Sequence, residues 1–459
     1  MVNLKEKKYF IPAIAGFTGS PSNHATHKAY VTVCLNIVAA SRFILYFKSK
    51  NMRILSLATL FILGCLTARS QYKFDNKLFQ TIYIEDLCDE LNANPDHLIL
   101  DVRSLGEFMD TSQYSGLNIG HLKGAQNINI RELDARWKEL LPYKDKPIFV
   151  YCSHSQRSRR ASRLLADSGF TKVININGGL SNAPLLRDAH PECFAGLYET
   201  TNPYKILSAR EAALLLTEKK DVQIIDIRSD SAFRGISSNE IQNAAGAIKN
   251  AVNIPKDLLE KTASKFSKSK PVLLIDDYGN DSPLAAELLV KKGFKQVSIL
   301  FDGMDGWMNA DRINAPEINA WSVHRIPYYL LSARDFAKAM GASERELKVI
   351  DIRTKEEFQN TYKDSWRNVG HVRNAVNKPI SELEANSGDL DSYKNKMIVI
   401  YGFSGQPEIF ETARTLASKG FKNVNVLLGG IWNLRWRAAN IKGLANLRYL
   451  VVDVPEENL

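Results

Sequence analysis

The chain has 459 residues, a formal net charge of +10, 45% apolar and 24% charged residues. That length exceeds one ordinary core and fits about three domains of globular composition. Its Lys and Arg residues are scattered among Asp and Glu with no aromatic-interleaved basic stripe, which excludes a nucleic-acid-binding surface and leaves a mild attraction for small anions. The cysteines Cys34, Cys65, Cys88, Cys152 and Cys193 form no Cys-x-x-Cys pair, and the histidines are dispersed. Neither a metal site, a cofactor nor a disulfide framework is therefore expected.

The N-terminal region reads as targeting sequence. Residues 54–66 are an apolar run preceded by Lys48, Lys50 and Arg53 and followed by Ala68-Arg69-Ser70. The run is short for a membrane span, and its flanks are those of a secretory signal peptide. Residues 52–70 are the expected signal peptide, with Gln71 as first mature residue and 1–51 as an upstream extension. Two alternatives stay open: a lipoprotein signal acylated at Cys65, or a retained membrane anchor. The expected location is exported and periplasmic, with membrane contact only through this segment.

From residue 75 onward one pattern occurs three times. Its first landmark is an apolar strand ending in Asp-x-Arg: Asp101-Val102-Arg103, Asp226-Ile227-Arg228 and Asp351-Ile352-Arg353. The second is Gly120-His121 through Asn127, matched by Gly246 to Asn253 and Gly370-His371 to Asn377. The third is an apolar strand entering a loop at Cys152, Asp276 or Gly402, and the fourth a Gly-Phe pair after a helix. Each copy closes on a Gly-containing turn, at Gly178-Gly179, Gly303 and Gly429-Gly430. The period is too long for a solenoid and implies tandem domains, at 75–195, 200–315 and 325–445. Short β-branched runs alternating with helical stretches predict an α/β fold, each domain a parallel sheet flanked by helices, with reactive groups at the carboxyl ends of strands.

Only the first copy carries sulfur at the strand end. Cys152 opens the loop Ser153-His154-Ser155-Gln156-Arg157-Ser158, which leads into a helix over 158–168. A helix N-terminus, successive backbone N–H groups and the Arg157 charge all favour an anion, either a thiolate or a persulfide. Asp101 is expected near the loop and Arg103 either reaches a donor or pairs with Glu107. His121 recurs in a copy without sulfur, as His371, so it is read as packing. Cys88 is read as core, with a resolving-thiol role for it or Cys193 as the alternative.

The ordered set Asp101-Val-Arg103, Glu107-Phe108, Gly120-His121, Asn127, Tyr151-Cys152, Arg157-Ser158, Gly169-Phe170 and Gly178-Gly179 resembles the rhodanese (thiosulfate sulfurtransferase) domain. The resemblance implies a loop that cradles Cys152 and a persulfide intermediate. Arg157 and its loop would bind a small anionic sulfur donor such as thiosulfate, and a thiol, cyanide or a protein would accept the sulfur. The four residues between Cys152 and Arg157 are one fewer than in related dual-specificity phosphatases, which favours sulfur over phosphate. Ser155 stands where the family often has glycine. The other two copies are expected to be inactive. The alternative function is a non-catalytic binding or sulfur-sensing module.

Overall fold

The computed structural model describes residues 78–455 apart from 313–314, 342–345 and 386–387. The expected signal peptide, the upstream extension and Cys65 lie outside the described residues. Among those described, no helix is long and apolar enough to cross a membrane.

Each repeat folds into five parallel strands. In the first these are β1 (Gln80–Tyr83), β2 (Leu98–Asp101), β3 (Gln126–Asn127), β4 (Ile148–Tyr151) and β5 (Val173–Asn177), ordered β1-β5-β4-β2-β3. The second unit has β6 (Lys205–Leu207), β7 (Gln223–Asp226), β8 (Val252–Asn253), β9 (Val272–Ile275) and β10 (Val297–Leu300), in the order β6-β10-β9-β7-β8. The third has β11 (Tyr329–Leu331), β12 (Leu347–Asp351), β13 (Val376–Asn377), β14 (Met397–Tyr401) and β15 (Asn423–Leu427), in the order β11-β15-β14-β12-β13. The central strands β4, β9 and β14 feed helices α1 (Gln156–Asp167), α2 (Ser282–Lys291) and α3 (Pro407–Ser418), and β15 feeds α4 (Gly430–Asn440).

The central strands are buried on both faces, so their sequences are continuous apolar runs. Along β4 the alternation of side chains sorts them into two cores. Phe149 and Tyr151 pack with Ile82, Leu87 and Ile176, while Ile148, Val150 and Cys152 pack with Leu100, Ala161 and Leu165. Cys152 therefore lies on the α1 side of the sheet. Burying one such aliphatic side chain contributes roughly 1.5–3 kcal/mol.

The Asp-x-Arg landmark is a structural clamp, and here the structure corrects the expectation for Asp101 and Arg103. Asp101 pairs in register with Tyr151, which puts its carboxylate on the face opposite Cys152. Arg103 Nη2 binds Asp101 Oδ2 at 2.7 Å and donates to Gly120 O at 2.8 Å, both side chains being fully buried. Arg228 repeats this with Asp226 and Gly246, and Arg353 with Asp351 and Gly370. The clamp belongs to the fold of all three units, and Arg103 does not pair with Glu107. His121 and His371 lie on Phe108 and Phe358 at 4.3 and 4.2 Å between centroids, which fits their packing role.

The units pack into one body. One apolar cluster runs from Ala244, Ala245 and Trp307 of the second unit to Phe410 and Ala413 of the third, where Arg414 Nε donates to Glu240 at 2.8 Å. Ser115 Oγ of the first unit donates to Asn280 O of the second at 2.5 Å. The first and third units meet at Asn177, which donates from Nδ2 to Ala439 O at 2.7 Å. One further correction concerns the thiols: Cys88 and Cys193 form a disulfide across 105 residues within the first unit. No spacing rule exposes a pair so far apart, which is why the sequence placed Cys88 in the core without a bond.

Candidate functional site

Strand β4 ends at Tyr151, and the next residue starts a tight loop. A second turn presses on it from below. Leu180 N donates to Cys152 O and Ser181 N to Ser153 O, each at 2.9 Å. This approach demands Gly179, because a Cβ there would stand 2.3 Å from Cys152 O. Gly303 and Gly430 meet the strand-end carbonyls of Asp276 and Gly402 in the same way, which accounts for the Gly turn that ends each repeat.

The loop carries the sulfur inward. Cys152 is 1% exposed. Its Sγ receives the backbone N–H of Ser155 at 3.2 Å and lies 3.7 Å from Ser158 Oγ, which donates to Ser155 O at 2.9 Å. Ser155 sits at φ +135°, ψ −38°, a conformation that glycine favours and that costs a serine on the order of 1–3 kcal/mol. Two bonds hold it there: Gly178 N donates to its Oγ at 2.7 Å, and the Oγ donates to Oδ1 of Asn440, in the third unit, at 2.8 Å.

Arg157 has partners within the protein that the sequence did not reveal. Its Nη1 and Nη2 grip both oxygens of Glu107 at 2.7 Å, and Nη2 also donates to Ser153 Oγ at 2.7 Å. The guanidinium is thus engaged in fixing the loop to Ser104–Phe108. Burial alone would raise the Glu107 pKa, but the Arg157 hydrogen bonds and the Ser104 backbone N–H outweigh it and hold the carboxyl at about 2. His154 projects outward, with Nδ1 2.9 Å from Ser153 Oγ and Nε2 3.2 Å from Ser181 Oγ. Desolvation of the ring against the loop, then the Arg157 charge, lowers its pKa from the ordinary histidine value. Gln156 is exposed in the first turn of α1. Of the expected loop residues, Ser155 and Ser158 reach the sulfur. Ser153 and Arg157 brace the loop, and His154 and Gln156 form its outer lip.

The two other loops hold different contents. In the second unit Gly279 N donates to Asp276 Oδ1 at 2.8 Å, while Asp281 N and Ser282 N donate to Oδ2 at 2.7 and 2.8 Å. The cradle is filled by its own carboxylate, whose pKa burial raises and these three N–H groups partly restore. In the third unit a Cβ on Gly402 would come 2.9 Å from Gln406 Oε1 and from Ile409 Cδ1, so the place of a cysteine side chain is taken. Around this loop Arg367 lies 4.8 Å from the Tyr362 centroid and 5.5 Å from that of Phe403, and Phe403 stacks on Trp432 at 5.7 Å. Trp432 is 38% exposed and lies at the surface.

Sequence reasoning missed Glu107 as the partner of Arg157, and Asn440 altogether. Glu107 left one signal, the capping pattern Ser104-x-x-Glu107, which recurs as Thr354-x-x-Glu357. Asn440 left none.

The rhodanese-like domain family model matches residues 84–183, 208–310 and 332–435. Among curated relatives, the uncharacterized protein YqhL of Bacillus subtilis is 30% identical over 129 residues, 28% of this chain and 89% of that protein. The thiosulfate sulfurtransferase GlpE of Coxiella burnetii is 32% identical over 104 residues, 23% of this chain and 87% of its own length. Among solved structures, a thiosulfate sulfurtransferase from Pseudomonas aeruginosa aligns over 76% of this chain and 66% of its own, at 19% identity and a TM-score of 0.20.

Proposed function

The chain belongs to the rhodanese family, and from that premise we propose that it is a sulfurtransferase carrying sulfane sulfur as a Cys152 persulfide. The donor is a small anion such as thiosulfate. The acceptor is cyanide in an assay and otherwise a thiol, free or on a protein. The observation that carries this reading is the Ser155 N–H directed at Cys152 Sγ at 3.2 Å, in a loop type that holds a carboxylate in the second unit.

In the first half-reaction the Cys152 thiolate attacks the outer sulfur of thiosulfate. A new S–S bond forms as the donor's breaks, and sulfite leaves with the bonding pair. The outer sulfur of the persulfide is as many bonds from Cα as a carboxylate oxygen of Asp276. Asp276 Oδ2 takes the N–H groups of Asp281 and Ser282. Their counterparts are the N–H groups of Arg157 and Ser158, in the first turn of α1, where no intrahelical acceptor competes. These groups receive the charge on the outer sulfur. In the second half-reaction the acceptor's lone pair takes that sulfur and Cys152 departs as thiolate, so cyanide yields thiocyanate with ping-pong kinetics. The donor enters past His154 and Gln156, the exposed residues of the loop.

The reading extends to location. The expected signal peptide at 52–70 makes the protein exported and periplasmic, or anchored through Cys65 or a retained segment. The Cys88–Cys193 disulfide supports an oxidising compartment.

The test is intact mass of the chain after incubation with thiosulfate. The wild type gains one sulfur atom and then releases thiocyanate to cyanide, and Cys152→Ala does neither. A wild type that gains no mass and yields no thiocyanate refutes the proposal. A second reading, a sulfur-sensing or binding module without turnover, is favoured by the 1% exposure of Cys152. It expects partner binding that Cys152→Ala leaves unchanged.

A further inference from the structure

The third unit has no sulfur of its own at the strand end, yet its helix α4 ends on the loop of Cys152. Asn440 closes α4 and is 1% exposed. Its Nδ2 donates to Trp436 O at 2.7 Å, which fixes the amide and turns Oδ1 toward the first unit. There it accepts from Ser155 Oγ at 2.8 Å. The same hydroxyl accepts from Gly178 N, so its donor and acceptor roles are both set. The contact is anchored on either side by Asn177 Nδ2 donating to Ala439 O at 2.7 Å and by Lys442 Nζ 2.5 Å from Asp86 Oδ1.

Serine does not rest at φ +135° unaided. The bonds to Asn440 and Gly178 hold it, and the same backbone rotation turns its N–H to the reacting sulfur at 3.2 Å. We propose that Asn440 is a positioning residue for sulfur transfer: the cysteine-less third unit holds Ser155 in the conformation that supplies the hydrogen bond to Cys152. The proposal rests on the reading of Cys152 as a sulfur carrier. Glycine at this position adopts the conformation without help. With serine there, the acceptor on α4 becomes part of the reaction site, and the first unit alone is an incomplete enzyme.

The test uses the whole chain with Asn440→Ala, Ser155→Ala, Ser155→Gly and the double variant Ser155→Gly/Asn440→Ala. Two rates are read: thiocyanate formation, resolved into kcat and KM for thiosulfate, and alkylation of Cys152 by iodoacetamide without donor, followed by mass. Asn440→Ala is expected to lower kcat and the alkylation rate about tenfold, with KM within about twofold, because the lost bond acts at the sulfur and not on donor binding. In the Ser155→Gly background the same substitution changes either rate by less than about twofold, since glycine needs no acceptor. Ser155→Ala repeats the loss from the first unit's side and serves where Asn440→Ala fails to fold. Equal losses in both backgrounds, wild-type rates in Asn440→Ala, or wild-type rates in Ser155→Ala overturn the proposal. So do faster rates in Asn440→Ala, which make the third unit a gate. If the wild type forms no thiocyanate, the sulfurtransferase reading falls, and the alkylation rates decide the Asn440 claim by themselves.

Discussion

The loops after Tyr151 and after Ile275 are built alike and hold different things. In the second unit Asp276 sends two oxygens into the cradle and engages the N–H groups of Gly279, Asp281 and Ser282. In the first, one sulfur engages the equivalent of Gly279, the N–H of Ser155. Under the proposed reaction, the first-unit counterparts of two of those donors, the N–H groups of Arg157 and Ser158, receive the outer sulfur of the persulfide. The difference shows that a unit without the cysteine does not leave its cradle empty. That cradle is filled from within by the Asp276 carboxylate, which partners the N–H groups of Gly279, Asp281 and Ser282. The third unit reaches the same end with Gln406 and Ile409 over Gly402, and with Arg367 among Tyr362, Trp366 and Phe403.

The comparison can be broken most sharply by moving the sulfur. Cys152→Ala abolishes thiocyanate formation, and adding Asp276→Cys does not restore it, because Asp277 and Asp281 leave that loop acidic toward an anionic donor. Thiocyanate from the double variant sinks the distinction between the two cradles. Next comes the covalent tie that, among the described residues, the first unit alone carries. Removing the Cys88–Cys193 disulfide by paired serine substitution lowers unfolding free energy by about 5 kcal/mol on chain-entropy grounds, read by urea titration with intact disulfide as reference.

Asp276→Ala strips the second cradle of its internal anion. It lowers stability by about 3 kcal/mol, whereas Asp276→Asn, which keeps one acceptor, costs about half of that. Equal stability of all three proteins shows that the carboxylate does not hold the loop. Glu107→Gln has an effect of about 2 kcal/mol at pH 7, with a defined pH course. The folded pKa of Glu107, about 2, lies below its ordinary 4.5. Its contribution is therefore fully present above pH 4.5 and vanishes as pH falls through 2, so wild type and variant converge in acid. A gap that stays constant with pH contradicts the ion pair. Smallest is Gly402→Cys in the third unit, which costs about 1 kcal/mol by crowding Gln406 and Ile409 and gains no sulfur from thiosulfate.

Much of this architecture was legible in the chain. Three apolar runs ending in Asp-x-Arg, a Gly turn closing each copy and one cysteine at a strand end gave the repeat, the sheet and the loop, because strand periodicity and glycine punctuation are local signals. The roles of the charged residues were not legible. Arg157 was read as facing a donor, yet Glu107, fifty positions earlier, takes its guanidinium. Arg103 and Glu107 are near neighbours in sequence and looked paired, but the turn after β2 sends Arg103 back to Asp101.

What the amino-acid sequence determined by itself was the fold of each unit and which one keeps a cysteine at the strand end, since burial patterns and the identity of residue 152 are written locally. What only the tertiary structure decided was how that thiol is held. The Glu107–Arg157 pair, the Cys88–Cys193 bond and the reach of Asn440 to Ser155 across 285 positions join residues with no shared period. Such contacts depend on where separately folded surfaces meet, and a polar side chain carries no mark of its partner until packing brings the two within hydrogen-bond distance.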